Sequence, residues 1–418
     1  MGEQQSQGST TVTQESSSTR TGPHPGAVGK GWGDPISEER QAELQGYLDA
    51  WEAQPSHGKR VEPFSLVELT GADVFWLAAR ALAEAKDMQA VEAAQRLRAH
   101  DVVGFVDELY LGGAILDGAH LEGAFLNYVF LERASLNGAY LEGARLWSAH
   151  LKGARLREAH LESAELSLAH LEGASMDAAH LEDALLNAAH LQGAHLNDAH
   201  LEGTVLAYAH LENAFLQEAH LEGAVLVAAH LEGADLQTAH LEGKRLSAAD
   251  VACIHRLRTD MRTAVVKDKL PPTDLHGAFL NGASRLDGVT LGTPDLGFVS
   301  LSDVHWGDVN LAVVDWTQTT RGFLGIRQRI EAIELGDERE ARQASTQAEI
   351  QNQGVKLEMF KRAVRANRQL ATALRSQGLN EDADRFAYKA QKLQREVLRR
   401  QQRHGAAFGS WFLDVIAG

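Results

Sequence analysis

Between Leu111 and Leu246 an apolar side chain recurs at every fifth position, and all 28 of these positions are leucine except Met176. Two places before each stands alanine in 24 of the 28 cases, the exceptions being Leu109, Val129, Thr204 and Lys244. A spacing of five matches neither the 3.6 residues of an α-helix turn nor the alternation of a strand. The leucines therefore share one side of the chain only if the backbone changes direction between each and the next. Outside this stretch the pattern becomes helical. Residues 37–53 (SEERQAELQGYLDAWEA) predict a helix with Ser37 as its cap and Glu38 and Glu39 in its first turn. Residues 74–99, rich in alanine and leucine, predict one or two more. Near the other end Leu357, Phe360, Val364, Leu370 and Leu374 hold one helical face, and Gly378 ends it. Asn380, Glu381 and Asp382 then open a second helix that carries Phe386, Ala390, Leu393 and Val397 on one side. Residues 355–403 together predict an antiparallel helical hairpin.

The five-residue unit stands as Ala119-His120-Leu121-Glu122-Gly123 and again as Ala124-Phe125-Leu126-Asn127-Tyr128. It resembles the motif of the pentapeptide-repeat family: a small residue, a polar one, Leu or Phe, then two polar residues. The resemblance implies a mainly β solenoid with α-helical ends, a right-handed quadrilateral β-helix in which four units make one square coil. Roughly 7.5 regular coils stacked about 4.8 Å apart span about 36 Å. On that fold Leu121, Leu141, Leu161, Leu181, Leu201, Leu221 and Leu241 fill the axis. Ala119, Ala139 and Ala159 point inward near a corner, where a larger side chain would overpack. An open coil exposes a row of unpaired backbone groups, so the helices at both ends read as covers. Lys244 falls on an inward alanine position, and the cost of burying its charge predicts that the regular stack ends or deforms there.

A second, weaker run follows as Thr273-Asp274-Leu275 and Ala278-Phe279-Leu280. After a one-residue slip at Ser284-Arg285 it continues through Leu286, Leu291, Leu296, Leu301, Trp306, Leu311 and Trp316, which predicts about two irregular coils. The expected division is a disordered tail over 1–33, a helical cap over 34–100 and the regular solenoid over 101–251. A projecting loop over 252–272, irregular coils over 273–318 and a helical region over 319–418 complete it.

Charge is unevenly spread. Residues 101–250 carry 23 acidic and 7 basic side chains, whereas residues 321–418 carry 12 acidic and 18 basic ones. Two surfaces with different partners are implied, and the acidic one excludes direct contact with nucleic acid. Cys253 alone permits no internal disulfide and fits a cytoplasmic setting. Met1 leads into a polar stretch with no apolar h-region, so no secretory signal is expected. No apolar run of about 20 residues offers a membrane span.

A second period, of ten, overlays the first. Histidine precedes leucine at 120 and at every tenth residue from 150 to 240, with Phe130 and Tyr140 in the gap. At 20 residues per coil these fall into two columns on opposite faces, one of them holding His160, His180, His200 and His220. Glu162, Glu172 and Glu182 follow two residues later and form parallel carboxylate columns. Imidazoles about 4.8 Å apart stack comfortably but do not share one tetrahedral zinc, so the columns read as solvated ladders with no bound metal or cofactor. Twelve histidines between 120 and 240 also imply that the rod gains positive charge as pH falls. On the remaining faces Phe215, Val205 and Val225 are expected near one another as an interface.

There is no phosphate-binding glycine loop, no GxSxG and no HExxH, and Cys253 with His255 reads as an incidental pair, so no catalysis is expected. Lys392, Arg395, Arg399 and Arg400 precede the apolar Trp411 and Phe412, the layout of a membrane-proximal segment. The stretch from Asn367 through Trp411-Phe412-Leu413-Asp414 resembles the helical segment preceding the ion-channel module of bacterial pentapeptide-repeat membrane proteins. The function expected is a non-catalytic cytoplasmic interaction scaffold, an acidic solenoid with a basic helical tail, as the cytoplasmic part of a membrane channel-like protein at the inner face of the plasma membrane, with a protein partner, a membrane surface and a second copy of the chain as its contacts. The alternative implied by the resemblance is a DNA-mimicking protein that binds and protects DNA gyrase.

Overall fold

The structure, a computed structural model, describes residues 31, 33–53, 63–85, 89, 93–95, 109–242, 244–245, 269–270, 273–281, 283–289, 291–293, 297–321, 328–346 and 353–401. The expected disordered tail lies outside them apart from Gly31 and Gly33, as do most of the projecting loop, Cys253 with His255, and Trp411 with Phe412.

In each five-residue unit the residue before leucine forms a parallel bridge with its equivalent 20 residues on, as in His160↔His180, Glu165↔Leu185, His170↔His190 and Ser175↔His195. One coil is thus 20 residues with four faces. The bridging residue is held from both sides: His180 N donates to Ala159 O at 2.9 Å, and Leu161 N donates to His180 O at 2.7 Å. The chain turns at once after each leucine, where Ala164 N donates back to Leu161 O at 3.0 Å. The residue just before that alanine pays for the corner with a left-handed backbone, φ +58° at Ser163 and +65° at Gly173. The direction change that a period of five demands is therefore a tight turn repeated at every unit.

Inside, the axial leucines from Leu111 to Leu241 and Met176 are no more than 2% exposed. The inward alanines, with Val129 and Thr204 in their place, are buried as well. Each leucine removed from water contributes on the order of 2 kcal/mol. Thr204 keeps its hydroxyl inside by donating to Leu181 O at 2.9 Å.

The regular ladder stops at Glu242. Lys244–Arg245 (β1) leaves it to pair antiparallel with Lys269–Leu270 (β2), so this part of the expected 101–251 solenoid is not coil. A lysine ammonium is costly to bury on a dry axis, which is a physical reason for the regular ladder to break at this position. The stack resumes at once: Val225 bridges Asp274, His230 bridges Phe279 and Asp235 bridges Arg285. Thr273 takes the inward corner and donates to Leu221 O at 2.6 Å. Ser284 does the same beyond the one-residue slip, donating to Leu231 O at 2.8 Å.

Both ends are covered. Glu38–Glu52 (α1) is capped by Ser37, whose side chain accepts from Arg40 N. Gly71–Ala85 (α2) opens on Thr70, whose hydroxyl accepts from Asp73 N while Asp73 accepts from Thr70 N. The segment just before it adds a rung to the first coil: Leu69 N donates to Ile115 O, and Ile115 N to Val67 O, each at 2.8 Å. Buried Arg40 ties the helices to that rung through Asp73 and Glu68 O.

At the far end lie two short pairs, Gly292–Thr293 (β3) with Gly297–Phe298 (β4) and Thr317–Arg321 (β5) with Gln328–Ala332 (β6). Three helices follow: Gly336–Thr346 (α3), Gln353–Ser376 (α4) and Asn380–Arg400 (α5). Their side chains stand in for a missing coil. Asp337 accepts from Leu301 N at 2.8 Å and Ser302 N at 3.2 Å, and Gln369 accepts from Asp303 N at 2.9 Å. Gln377 accepts from Leu311 N and donates to Val309 O. Trp316 closes the apolar axis edge-on to Phe386.

Candidate functional site

The two histidine columns are the most regular surface of the solenoid. Because each histidine bridges its neighbour one coil away, the rings have to lie parallel. In the first column centroids are 4.6–5.0 Å apart from His120 through Tyr140, His160, His180, His200 and His220 to His240, with planes within 7°. The second runs Tyr110, Phe130, His150, His170, His190, His210, His230. It passes across the interruption into Phe279 and His305 at 4.6 and 4.3 Å, and Trp51 of α1 leans on its first ring. About a third of each imidazole in these columns is exposed.

The ring edge that carries Nδ1 is turned to the glutamate of the same coil. Nδ1 to carboxylate oxygen is 2.9 Å at His120–Glu122, 3.3 Å at His160–Glu162, 3.5 Å at His180–Glu182 and 3.2 Å at His240–Glu242. The pairs His200–Glu202 and His220–Glu222 are at 3.6 Å. Beside the first column all seven positions from 122 to 242 are glutamate; beside the second, Lys152 and Gln192 interrupt the carboxylates. Glu142, Glu202 and Glu222 belong to this same carboxylate column.

Such a column is electrostatically tight. The second carboxylate oxygens of Glu142, Glu162, Glu182 and Glu242 are buried and accept no hydrogen bond. Burial raises the pKa of Glu182, and repulsion from Glu202 adds to it, against its own backbone hydrogen bond and His180. Glu142 is raised in the same way, by burial first. In the second column burial, helped by His170 and His210, lowers His190.

The expected cluster of Phe215 with Val205 and Val225 does not form. Val205 bridges Val225, whereas Phe215 bridges His195 and Asp235 on the opposite face, because ten residues are half a coil. What does assemble beside Val205 and Val225 is an apolar strip with Leu185 on the flat and Leu168 and Tyr208 on the adjoining corner, 40% and 62% exposed.

The basic side chains near the C-terminal end are largely engaged. Arg400 lies 4.5 Å over the Phe360 ring and pairs with Glu396 at 3.1 Å, Arg399 pairs with Glu396 at 3.4 Å, and Lys392 lies over Tyr388. Among the described residues no helix is long and apolar enough to cross a membrane.

The pentapeptide-repeat family matches the sequence in eight copies, over residues 114–153, 139–177, 149–187, 164–203, 184–223 and 206–243. Residues 114–243 are thus made of pentapeptide repeats, and such repeats imply a right-handed β-helix. A search of curated proteins finds no match. Among solved structures, HetL, a pentapeptide-repeat protein involved in heterocyst differentiation regulation in the cyanobacterium Nostoc, is similar at 26% identity over 45% of this chain and 79% of its own, with a TM-score of 0.28. A trypsin-treated form of QnrB1, a plasmid-mediated fluoroquinolone resistance protein, is 13% identical over 46% of this chain and 82% of its own, TM-score 0.33. A pentapeptide-repeat protein of the Arabidopsis thaliana thylakoid lumen is 22% identical over 31% of this chain and 80% of its own, TM-score 0.14.

Proposed function

We propose that the chain is a non-catalytic interaction scaffold, about seven to eight regular coils and two irregular ones held rigid so that a lateral face meets a protein partner. The observation behind this is the apolar strip of Leu168, Leu185, Val205, Tyr208 and Val225, set on a rod whose axis is filled and whose ends its own helices cover. A partner that fits presents an apolar ridge with lysine or arginine along one side, facing Glu162, Glu182 and Asp183, which border the strip on that side only. A cytoplasmic setting is consistent with the single cysteine.

No specific observation favours membrane docking, since the basic side chains of α5 turn to Phe360, Tyr388 and Glu396. None favours DNA mimicry either: the carboxylates beside the first column turn to histidines and bury one oxygen, unlike outward-facing phosphates. Affinity capture from the source organism, with the native chain and a Leu168→Asp/Tyr208→Asp variant of unchanged circular dichroism, tests the proposal. A protein held by the native chain and lost by the variant supports it. Identical captures from both remove it.

A further inference from the structure

Imidazoles held parallel in the stack are poor metal ligands on their own, because rings 4.8–4.9 Å apart cannot, without turning, both bring the same nitrogen to one ion. The side-chain arrangement changes that geometry. The donors that converge are the Nδ1 edge of each ring and the carboxylate beside it, and they come from two successive coils. One donor atom each from Glu142, His160 and Glu162 lies within 4.8 Å of the others. The same holds for His180, Glu182 and His200, and for Glu202, His220 and Glu222. These three triads share no residue and follow one another along a single column.

We propose that the first histidine column is a row of three binding sites for a divalent transition-metal ion of the zinc type. Bonds of about 2.0–2.2 Å to nitrogen and oxygen set neighbouring ligands of a tetrahedral ion about 3.4 Å apart. The pair within a coil already has that separation, 3.3 Å at His160–Glu162 and 3.5 Å at His180–Glu182. The third donor, no more than 4.8 Å from the others, has to close by about 1.4 Å at most: Glu142 and Glu202 can do so by side-chain rotation, whereas His200 has to turn its ring out of the stack. Water completes the shell, since the imidazoles are partly exposed. Nitrogen donors select zinc, cobalt or nickel over magnesium and calcium, which take oxygen.

A second, independent observation points to the same occupant. The buried oxygens of Glu142, Glu162 and Glu182 accept no hydrogen bond, and successive coils hold like charges close together. A cation between coils satisfies these oxygens and screens the repulsion along the column. The other face is less suited: Lys152 and Gln192 break its carboxylate series, and it offers one such triad, Glu212, His230 and Glu232, among the described residues.

Calorimetric titration of the chelator-stripped full chain with Zn²⁺ tests the assignment. The expected count is three ions per chain from the first column and one from the second. A Glu142→Gln/Glu182→Gln/Glu222→Gln variant keeps every histidine. It is expected to lose the three-ion class, or to weaken it about tenfold or more, while keeping the remaining site. Co²⁺ bound to the native chain then shows the intense visible absorption of a tetrahedral site, and the variant loses most of it. If the variant binds as many ions as tightly as the native chain, exposed histidines alone hold the metal and the proposal falls. Absence of a three-ion class from the native chain overturns it equally.

Discussion

At the scale of the residue, the coil is governed by an inward corner that is alanine in all but a few units, Val129 and Thr204 among the exceptions, and by a left-handed backbone three positions after the bridging residue. Ala179 is fully buried, and valine there forces two methyl groups into a packed corner. Ala179→Val is expected to cost about 1–3 kcal/mol, read as a lower urea midpoint with unchanged slope. Gly173 has φ +65° with open space where a Cβ would go, so only backbone strain opposes substitution. Gly173→Val should cost about 1–2 kcal/mol and Gly173→Asn much less, a contrast that steric crowding would not produce. Titration is argued at this scale too. Burial lowers the pKa of His190, with His170 and His210 adding to it, so the unfolded chain takes up a proton there first as pH falls. That contribution to stability is whole above the unfolded value of about 6.5 and is lost as pH falls through the lower folded value. His190→Gln should therefore lose less stability than the native chain between pH 7.5 and 5.5, measured as urea midpoints at the two pH values.

At the scale of the element, the question is how a solenoid ends. The C-terminal cover answers the last rung group by group, with Asp337, Gln369 and Gln377 taking backbone partners that a further coil would have offered. Behind them lies a buried ionic core. Glu338 is almost fully enclosed, takes Asn367 Nδ2 at 3.1 Å and Lys389 Nζ at 3.4 Å, and is raised by burial despite the lysine. Lys389 is lowered, also by burial, and donates to Ile333 O at 2.6 Å. Lys389→Met leaves the Glu338 carboxylate with only Arg342, at 3.6 Å, as its cation and is expected to cost about 3 kcal/mol by chemical denaturation, much of which a Lys389→Met/Glu338→Gln double variant recovers. Little of this was legible beforehand. The leucine axis, the alanine corners and the two histidine columns follow from periods of five, ten and twenty, because one local rule is written many times over. The helices of the hairpin announce themselves through Gly378 and their apolar faces. Asp337 meeting Leu301, or Gln377 meeting Val309, joins residues 36 and 68 apart with no period between them. The β5–β6 pair, TQTTR with QRIEA, is mostly polar and lacks an alternating apolar pattern. Phe215 is a different case: ten residues are half a coil, so its separation from Val225 could have been read from the same arithmetic that aligned the histidines.

At the scale of the whole molecule, the solenoid behaves as one stack despite the interruption in its sequence. His230 and Phe279 are 49 residues apart, yet their rings lie 4.6 Å apart and within 4° of parallel. Thr273 N donates to Leu241 O at 3.0 Å, so the first residue after the excursion takes up the backbone partner left by the last regular coil. If stability is a sum over neighbouring coils, these contacts carry the junction and the connection between β1 and β2 adds little to it. Arg245 and Lys269 are already paired antiparallel, which is the geometry that a two-residue turn closes. Replacing residues 246–268 by Asn-Gly is therefore expected to leave the far-ultraviolet circular dichroism of the coils in place and to shift Tm by no more than about 4 °C. Closing a much shorter loop recovers on the order of 1–2 kcal/mol of chain entropy, offsetting small losses at the base of the excursion. A fall in Tm beyond about 10 °C would mean that the excursion holds the two runs together, and that the continuous aromatic column is a consequence of their alignment rather than its cause.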